Sequence, residues 1–368
     1  MSNHFRNRQG FTIIEMMVAV GITLVIVAAA LSIVVSSNRA NMVNNQVADT
    51  QQNVRLAMDL MTRELRLAGY NYNPSDPATA VVPGCGVTVG AMSKPVGLRP
   101  QDQAPAGPDT APDQVSAVVP VVNTTGWALS AAAGGTPPNP VVPFNSISMS
   151  ASAISAMVAQ GLAAGSTISI GGSDAKTVAS VGATTISFGA GNNINAQFPA
   201  GTPVYLLQCV RYQVVTNTPA TCGSNLPCLV RNGVPIIDGV EDLQLTYACD
   251  GCNTAGGNPP LPNGIIDNQD ASSSGGFPTF TQGDFVSNNT WAVTPWTPDK
   301  IKLIQLSLVV RQNSQASGLD EKGTSAVNTN AAIVVGDHDP ATDPGYDPTS
   351  YRQIRRRALT RTIQPRNL

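Results

Sequence analysis

The sequence predicts an α+β fold in which one long N-terminal α-helix packs on a β-rich head with long loops. Three observations support this prediction. An apolar run occupies residues 11–35, a helical stripe of apolar side chains continues to residue 68, and residues 204–310 contain segments in which apolar and polar residues alternate. These patterns are typical of a membrane-spanning helix, an amphipathic helix and half-buried strands. We therefore expect the first half of the helix to span a membrane and the head to cover the second half.

The first ten residues differ in character from the segment that follows. Residues 1–10 contain Arg6 and Arg8 but no acidic side chain, and Gly10 stands directly before the apolar run. A cleaved secretory signal has a shorter apolar core and a cleavage site after that core, whereas here the glycine precedes a run of 25 residues. Because a bilayer crossing needs about 20 residues, the pattern predicts a short cationic leader followed by a membrane anchor.

One charged residue, Glu15, lies inside the apolar run. A carboxylate in hydrocarbon costs roughly 2.5–3.5 kcal/mol even on lenient insertion scales, so it needs a partner. Cleavage after Gly10 would free the α-amine of Phe11 one helical turn away, and in a filament Glu15 could instead meet the amine of a neighbouring subunit. We therefore predict a charge pair between Glu15 and Phe11. The alternative is an ordinary signal anchor that happens to contain a glutamate.

Residues 10–15, GFTIIE, with the apolar stretch behind them, resemble the class III signal of type IV pilins and type II secretion pseudopilins. The resemblance implies that a prepilin peptidase cleaves between Gly10 and Phe11 and methylates Phe11 as the new N-terminus. It also implies that Glu15 guides the docking of subunits. The expected fold is therefore pilin-like, with a periplasmic head.

Residues 36–70 predict an amphipathic continuation of the helix. Its apolar side chains recur at intervals of three, four or seven positions, and they are Val43, Val47, Val54, Met58, Met61, Leu65 and Ala68. This spacing forms one stripe on a helix, and Gly69 is placed to end it as a left-handed cap. A helix from Phe11 to Ala68 would be about 87 Å long at 1.5 Å per residue. The core helix of any domain can show the same stripe.

Residues 71–203 are rich in Pro, Gly, Ala and Ser and predict a variable region of short strands and long loops. Residues 204–368 predict a β-sheet head with a C-terminal strand. The alternation is clearest in residues 204–215, 243–247 and 304–310. Three antiparallel strands of this kind, packed on the long helix, would suffice for a head.

Several further segments resemble PilW-like minor pilins, and they are residues 61–70, 209–212, 228–232, 238–247 and 366–367. The resemblance implies a structural subunit that takes part in type IV pilus assembly or initiation. It implies an inner-membrane protein with a cytoplasmic N-terminus, later incorporated into the pilus or its tip. The implied partners are other minor and major pilins through the N-terminal helix, the prepilin peptidase, the inner-membrane assembly platform and membrane lipid. The alternatives are a type II secretion pseudopilin and a pilus-tip adhesin or DNA-binding module.

All six cysteines follow the apolar run, so a membrane anchor would place them in an oxidising space where disulfides form. They are Cys85, Cys209, Cys222, Cys228, Cys249 and Cys252. The pairs that we favour are Cys249–Cys252 and Cys222–Cys228, which leaves Cys85 with Cys209. The C-x-x-C spacing also occurs in zinc and redox sites, but neither a second ligand pair nor a thioredoxin pattern accompanies it here.

Two polar segments suggest ligands. Asp250, Asp267 and Asp270 lie in a Gly- and Asn-rich stretch whose oxygens suit calcium, although the spacing differs from that of an EF-hand loop. A second acidic segment, residues 337–347, is interrupted by prolines, and we interpret it as a solvated loop. No other metal site is expected.

Six arginines fall within the last 17 residues. Arg355, Arg356 and Arg357 could contact DNA phosphates, whereas such charges more often protect a sheet edge or pair with acidic neighbours. The formal net charge of −2 argues against a general nucleic-acid binder. No nucleophile elbow and no phosphate-binding loop is present, so the sequence predicts neither an enzyme nor a cofactor.

Overall fold

The structure is a computed structural model of the chain. The described residues are 12–72, 81–89, 92–94, 96–121, 126–135, 145–194, 196–216, 219–222, 226–252, 261–274, 277–311, 332–352, 354 and 356–368. Within them a long N-terminal helix is followed by a β-rich antiparallel domain. The predicted α+β class is confirmed.

The described part contains four α-helices and sixteen strands. The helices are α1 (Ile13–Arg66), α2 (Ala151–Ala159), α3 (Pro219–Cys222) and α4 (Pro348–Arg352). The strands are β1 (Val87–Val89), β2 (Met92–Lys94), β3 (Leu98–Gln101), β4 (Gln114–Pro120), β5 (Ser146–Ser148), β6 (Thr167–Ile170), β7 (Asp174–Val181), β8 (Thr185–Phe188), β9 (Val204–Val215), β10 (Cys228–Arg231), β11 (Val234–Asp238), β12 (Val240–Cys249), β13 (Ser273–Ser274), β14 (Phe277–Pro278), β15 (Ile301–Arg311) and β16 (Arg356–Ile363).

Helix α1 is continuous over 54 residues. It ends two residues before the predicted end at Ala68, because the last turn tightens: the amides of Leu67 and Ala68 donate to carbonyls three residues back. Gly69 follows with a φ of +73°, the left-handed conformation predicted for it. The Gly69 amide donates to the Val118 carbonyl at 2.9 Å, which ties the helix end to β4.

A three-stranded antiparallel sheet with the order β12-β15-β16 lies against α1. Two of its strands are those predicted around residues 243–247 and 304–310. The third predicted strand, residues 204–215, forms as β9. It belongs to a different sheet and is not part of this one. The C-terminal strand β16 takes that place and pairs with β15 from Ile304–Ile363 to Arg311–Arg356.

A nine-stranded sheet contains β9 as its longest member. The order is β11-β10-β9-β6-β7-β8-β5, and β4 pairs with both β9 and β3. Strand β9 pairs with β6 through residues 204–207 and with β4 through residues 207–213. The boundary that the sequence suggested between residues 203 and 204 therefore does not separate two sheets.

Helix α2 corrects the prediction that residues 71–203 form only strands and loops. The Ser150 side chain accepts a hydrogen bond from the Ala153 amide at 3.2 Å and so caps the helix. Ile154 and Met157 are buried in a second core with β5, β6, β7 and β8. The Ser cap and the three-residue spacing of these apolar side chains are a local pattern that predicts a helix.

Candidate functional site: the N-terminal helix and its attachment to the head

Thr12 and Glu15 form a reciprocal cap at the start of α1. The Glu15 amide donates to Thr12 Oγ1 at 3.2 Å, while Glu15 Oε2 accepts from both the amide and the hydroxyl of Thr12 at 3.0 Å. This is a capping box, which satisfies backbone amides that lack partners within the helix. The motif T-x-x-E was present in the sequence, but the sequence reasoning assigned Glu15 only to a charge pair. Gly10 and Phe11 lie outside the described residues, so the predicted cleavage site and charge pair stay predictions.

The first half of α1 exposes apolar side chains along its whole length. Ile13 is 82% exposed, and Leu24 and Ile33 are also exposed. Among the helices of the described part, α1 is the one whose length and apolar composition would allow it to cross a membrane, and the head does not cover that stretch. Such a large apolar surface requires a cover of lipid or of other apolar helices.

From Val54 onward, α1 is attached to the head by the predicted apolar stripe, whereas Val47 is only half-buried and the side chain of Val43 lies outside the description. Val54, Met58, Met61, Leu65 and Ala68 are all buried in the main core. Their partners come chiefly from β12 and β15 of the three-stranded sheet and from β4 and β9. Each large side chain contributes about 1.5–3 kcal/mol when it is fully buried. The burial of this half and the exposure of the other divide the helix into an attached part and a free part.

A polar cluster accompanies the stripe at the junction of the helix and the nine-stranded sheet. Arg231 Nη2 lies 2.8 Å from Glu64 Oε1, and Arg231 Nε donates to both oxygens of Glu64 at 3.2 Å. The Tyr212 hydroxyl donates to Glu64 Oε2. Burial, with the hydrogen bond and charge of Glu64, raises the pKa of Tyr212 above its usual value. The sequence placed Glu64 off the apolar stripe and gave no sign of these partners.

One of the C-terminal arginines, Arg356, is bound within the head rather than on a free surface. The Arg356 side chain is 4% exposed and forms an ion pair with Glu241, with Nη2 3.0 Å from Oε1. Its guanidinium also lies 3.6 Å from the ring centroid of Tyr351. The prediction that Arg356 could contact DNA is therefore wrong, because its guanidinium is buried and already paired within the protein. Arg357 is exposed on β16, and Arg355 lies outside the described residues.

His338 joins the segment after residue 331 to β12. Its Nδ1 lies 2.8 Å from Asp242 Oδ2 and its Nε2 lies 3.0 Å from Asp343 Oδ1. Burial lowers the pKa of His338, but the hydrogen bonds and charges of Asp242 and Asp343 outweigh it and raise the pKa to about 9. Both ring nitrogens are engaged and the ring is buried, so the interpretation of residues 337–347 as a solvated loop is wrong at His338.

The calcium candidates Asp250 and Asp267 use their oxygens to hold a loop together. Asp250 accepts from the amides of Asn263 and Gly264 at 2.9 and 2.8 Å. Asp267 accepts from the amide of Cys252 at 2.8 Å. Both carboxylates are buried. Their bonds to backbone amides shape the turn after β12 and explain why acidic residues stand here.

Asp270, the third candidate, is bonded separately from the other two. It accepts from the Ser272 amide at 2.8 Å and the Thr281 hydroxyl at 2.6 Å, and these bonds lower its pKa. In the part of this loop that the structure describes, the potential metal ligands that converge are Asp267 and two cysteines, not Asp250 or Asp270. Those cysteines are bonded to each other, so the geometry does not favour a calcium site in this loop.

The six cysteines form three disulfides. Cys85 is bonded to Cys209 and links the segment before β1 to β9. The other two bridges join Cys222 to Cys228 and Cys249 to Cys252. These are the pairs that the sequence favours, and each lies in the head.

A capped, exposed apolar helix whose second half is embedded in an antiparallel β-rich head defines a pilin-like protein. Residues 207–367 match the family model of type IV pilus-assembly protein W, and residues 5–31 match the model of the prokaryotic N-terminal methylation motif. Over these residues the chain is similar to PilW-like type IV pilus minor pilins, and the two matches support a pilin-like, membrane-anchored pilus component. No curated protein and no solved structure matches it significantly. Pilin-like families are structural and generally not enzymatic, and membership indicates contact with other pilus components.

Proposed function

We propose that this protein is a structural subunit that enters the assembly or initiation of a type IV pilus through the free half of α1. The observation that carries the proposal is the contrast within one helix. Apolar side chains from Ile13 to Val35 are exposed, whereas those of the stripe from Val54 to Leu65 are buried in the head. The exposed half needs lipid as its cover before assembly and the helices of other pilins afterwards.

The methylation motif supports the leader and the topology of this proposal. A prepilin peptidase would cleave between Gly10 and Phe11 and methylate Phe11, so that Thr12 becomes the second residue of the mature chain. Arg6 and Arg8 would lie in the cytoplasm by the positive-inside rule. The head would then lie in the periplasm, beside the inner membrane and its assembly platform, where an oxidising environment suits three disulfides.

Glu15 has two roles in this proposal. Both of its bonds to Thr12 use Oε2, and the positive end of the helix dipole favours a carboxylate at this position. We assign Oε1 to an α-amine, either that of Phe11 in the same chain or that of a neighbouring subunit. In an apolar bundle such a charge pair compensates both groups and fixes the depth at which a new subunit stops.

The test compares Glu15→Gln and Glu15→Ala with Thr12→Val in the producing cell. Both Glu15 variants lose the charge, whereas Thr12→Val loses only the hydroxyl bonds and keeps the carboxylate. We expect piliation to fall at least about tenfold in the Glu15 variants, which corresponds to about 1.4 kcal/mol, and to change little in Thr12→Val. Immunoblots of sheared pili measure piliation. Immunoblots of membrane fractions measure how much of each variant is in the membrane. Normal piliation in Glu15→Ala would contradict the proposal.

Two further measurements separate the alternatives. N-terminal mass spectrometry of the membrane-extracted protein should find methylated phenylalanine first, and a retained Met1 in cells that process other pilins would contradict the proposal. A type II secretion pseudopilin shares the leader and the helix. Deletion of the gene should therefore abolish surface pili and leave the secreted enzymes unchanged, whereas the reverse result would favour the pseudopilin.

A further inference from the structure

Three aspartates from segments that are distant in sequence meet in the head. Asp102 and Asp109 lie in the loop between β3 and β4, and Asp337 lies in the segment before α4. One carboxylate oxygen from each lies within 4.8 Å of the other two. Asp109 is completely buried, and the other two are half-buried. None of these residues belongs to the calcium candidates that the sequence suggested.

Asp109 supplies an independent sign that a ligand is needed. Its Oδ1 accepts from the Ala104 amide at 2.8 Å, but its buried Oδ2 has no N–H donor, and the neighbouring side-chain groups are the carboxyls of Asp102 and Asp113. Burial of an unpartnered carboxylate oxygen is costly, and the cost rises when other carboxylates face it. Among the described residues, no lysine or arginine forms an ion pair with any of the three aspartates.

Burial first, and the like charges of the neighbouring carboxylates second, disfavour the charged form of these groups. Burial and the charge of Asp109 raise the pKa of Asp102 to about 6. Burial and the charge of Asp337 likewise raise the pKa of Asp109, and burial raises the pKa of Asp337. The cation at His338 offsets part of the charge on Asp337, but it is already engaged by Asp242 and Asp343.

Backbone and amide groups hold the carboxylates in place around this point. Asp102 Oδ1 accepts from the Ala104 amide at 3.0 Å, and Asp102 Oδ2 accepts from the Asn289 amide at 2.9 Å. The Asn288 side chain satisfies its hydrogen bonds when its amide nitrogen faces Asp337. That nitrogen then donates to Asp337 Oδ2 at 2.5 Å. Outer contacts of this kind commonly orient the carboxylate ligands of a metal ion.

We propose that Asp102, Asp109 and Asp337 bind one calcium ion. The ligand atoms are all oxygens, which favours calcium or magnesium over zinc and other soft metals. Calcium–oxygen bonds of about 2.3–2.6 Å allow ligands across the ion to stand about 5 Å apart, whereas magnesium allows only about 4 Å. Separations within 4.8 Å are compatible with calcium, and the titration below distinguishes it from magnesium. The ion would tie the β3–β4 loop to the segment that carries Asp337.

The test uses the full-length chain in detergent, first treated with EDTA and then titrated with CaCl2 or MgCl2. Thermal unfolding and calorimetry report binding. We expect calcium to raise Tm by about 3–8 °C at concentrations well above Kd, and magnesium to raise it less. In Asp109→Asn the calcium-dependent rise should disappear, while the Tm in EDTA should stay equal to or exceed that of the natural protein because one repelling charge is gone. If Asp109 had only a structural role, its substitution would lower the Tm in EDTA as well as in calcium.

Asp337→Asn provides a second variant at a more exposed position, and it should also lose the calcium response. Asp238→Asn, which removes an exposed carboxylate from β11, is the matched control and should keep it. The proposal is overturned if the natural protein binds no calcium at up to about 10 mM, above the roughly 1 mM limit of weak extracellular sites. It is equally overturned if both variants keep the full calcium response. Neither result bears on pilus assembly, which Glu15 tests separately.

Discussion

Glu64 in α1 and Arg231 in β10 form an ion pair in which Arg231 Nη2 lies 2.8 Å from Glu64 Oε1, although 167 residues separate them in the chain. Apolar contacts along the stripe hold the helix on the head but are not directional. The ion pair, with the Tyr212 hydroxyl as a further donor, is directional. It therefore fixes the rotation of the helix and the direction in which its free half leaves the head.

Substitution of Glu64 should weaken this junction. Glu64→Ala leaves the Arg231 guanidinium and the Tyr212 hydroxyl without their acceptor, and we expect the free energy of unfolding to fall by about 2–3 kcal/mol. The two charged side chains are 14% and 28% exposed, so the loss should be smaller than for a fully buried pair. Thermal unfolding of the full-length chain in detergent measures it. Arg63→Ala, at the exposed neighbouring position, should change stability by less than about 0.5 kcal/mol, and equal effects of the two would contradict the prediction.

Gly69 should resist substitution for two separate reasons. Its φ of +73° strains any other residue, and a Cβ there would lie 2.7 Å from the Asn367 carbonyl oxygen. We expect Gly69→Ala to lower the free energy of unfolding by about 2–4 kcal/mol. Gly201 has a φ of +86° and open space around it, so Gly201→Ala should cost only about 1 kcal/mol. Denaturant unfolding of both variants separates the conformational strain from the clash, and similar losses would show that the helix end and the C-terminus do not pack as described.

Two arginines of β16 should differ in their contribution to stability. Arg356 is buried against Glu241 and Tyr351, so Arg356→Ala leaves the Glu241 carboxylate without its main partner and should cost about 2–4 kcal/mol. Arg361 pairs with Asp59 across the surface, with Nη1 2.6 Å from Oδ1, but the two side chains are 39% and 66% exposed. Arg361→Ala should therefore cost less than about 1 kcal/mol. The melting temperatures of the two variants check this order, and the reverse order would refute it.

The three disulfides should contribute unequally. The Cys85–Cys209 bridge closes a span of 124 residues, whereas the Cys222–Cys228 bridge closes one of six. In the chain-entropy description the first is worth about 5 kcal/mol and the second about 2 kcal/mol. Paired Cys→Ser substitutions should lower Tm more for the first bridge, and peptide mapping without reductant tests the pairing itself. Equal losses in Tm would argue against a constraint set by span.

The sequence was informative wherever a pattern is local. The spacing of Val54, Met58, Met61 and Leu65 predicted the buried face of α1, and Gly69 predicted its end, because a helix repeats every 3.6 residues and only glycine adopts the left-handed cap at little cost. Alternation likewise predicted β9, β12 and β15. Two local signals were present but not used: the T-x-x-E motif at Thr12 and the capped apolar spacing of α2.

The sequence by itself determined an apolar N-terminal segment, a long helix and a β-rich head, since each depends on side chains that are neighbours along the chain. Only the tertiary structure decided that β9 joins the nine-stranded sheet, that Glu64 meets Arg231, and that Asp109 lies beside Asp337. Asp250 and Asp267 bond to backbone amides of one loop, whereas Asp337 meets Asp102 and Asp109 from a distant segment. Pairings between distant segments depend on how sheets and loops are arranged in space, and no local period encodes that arrangement.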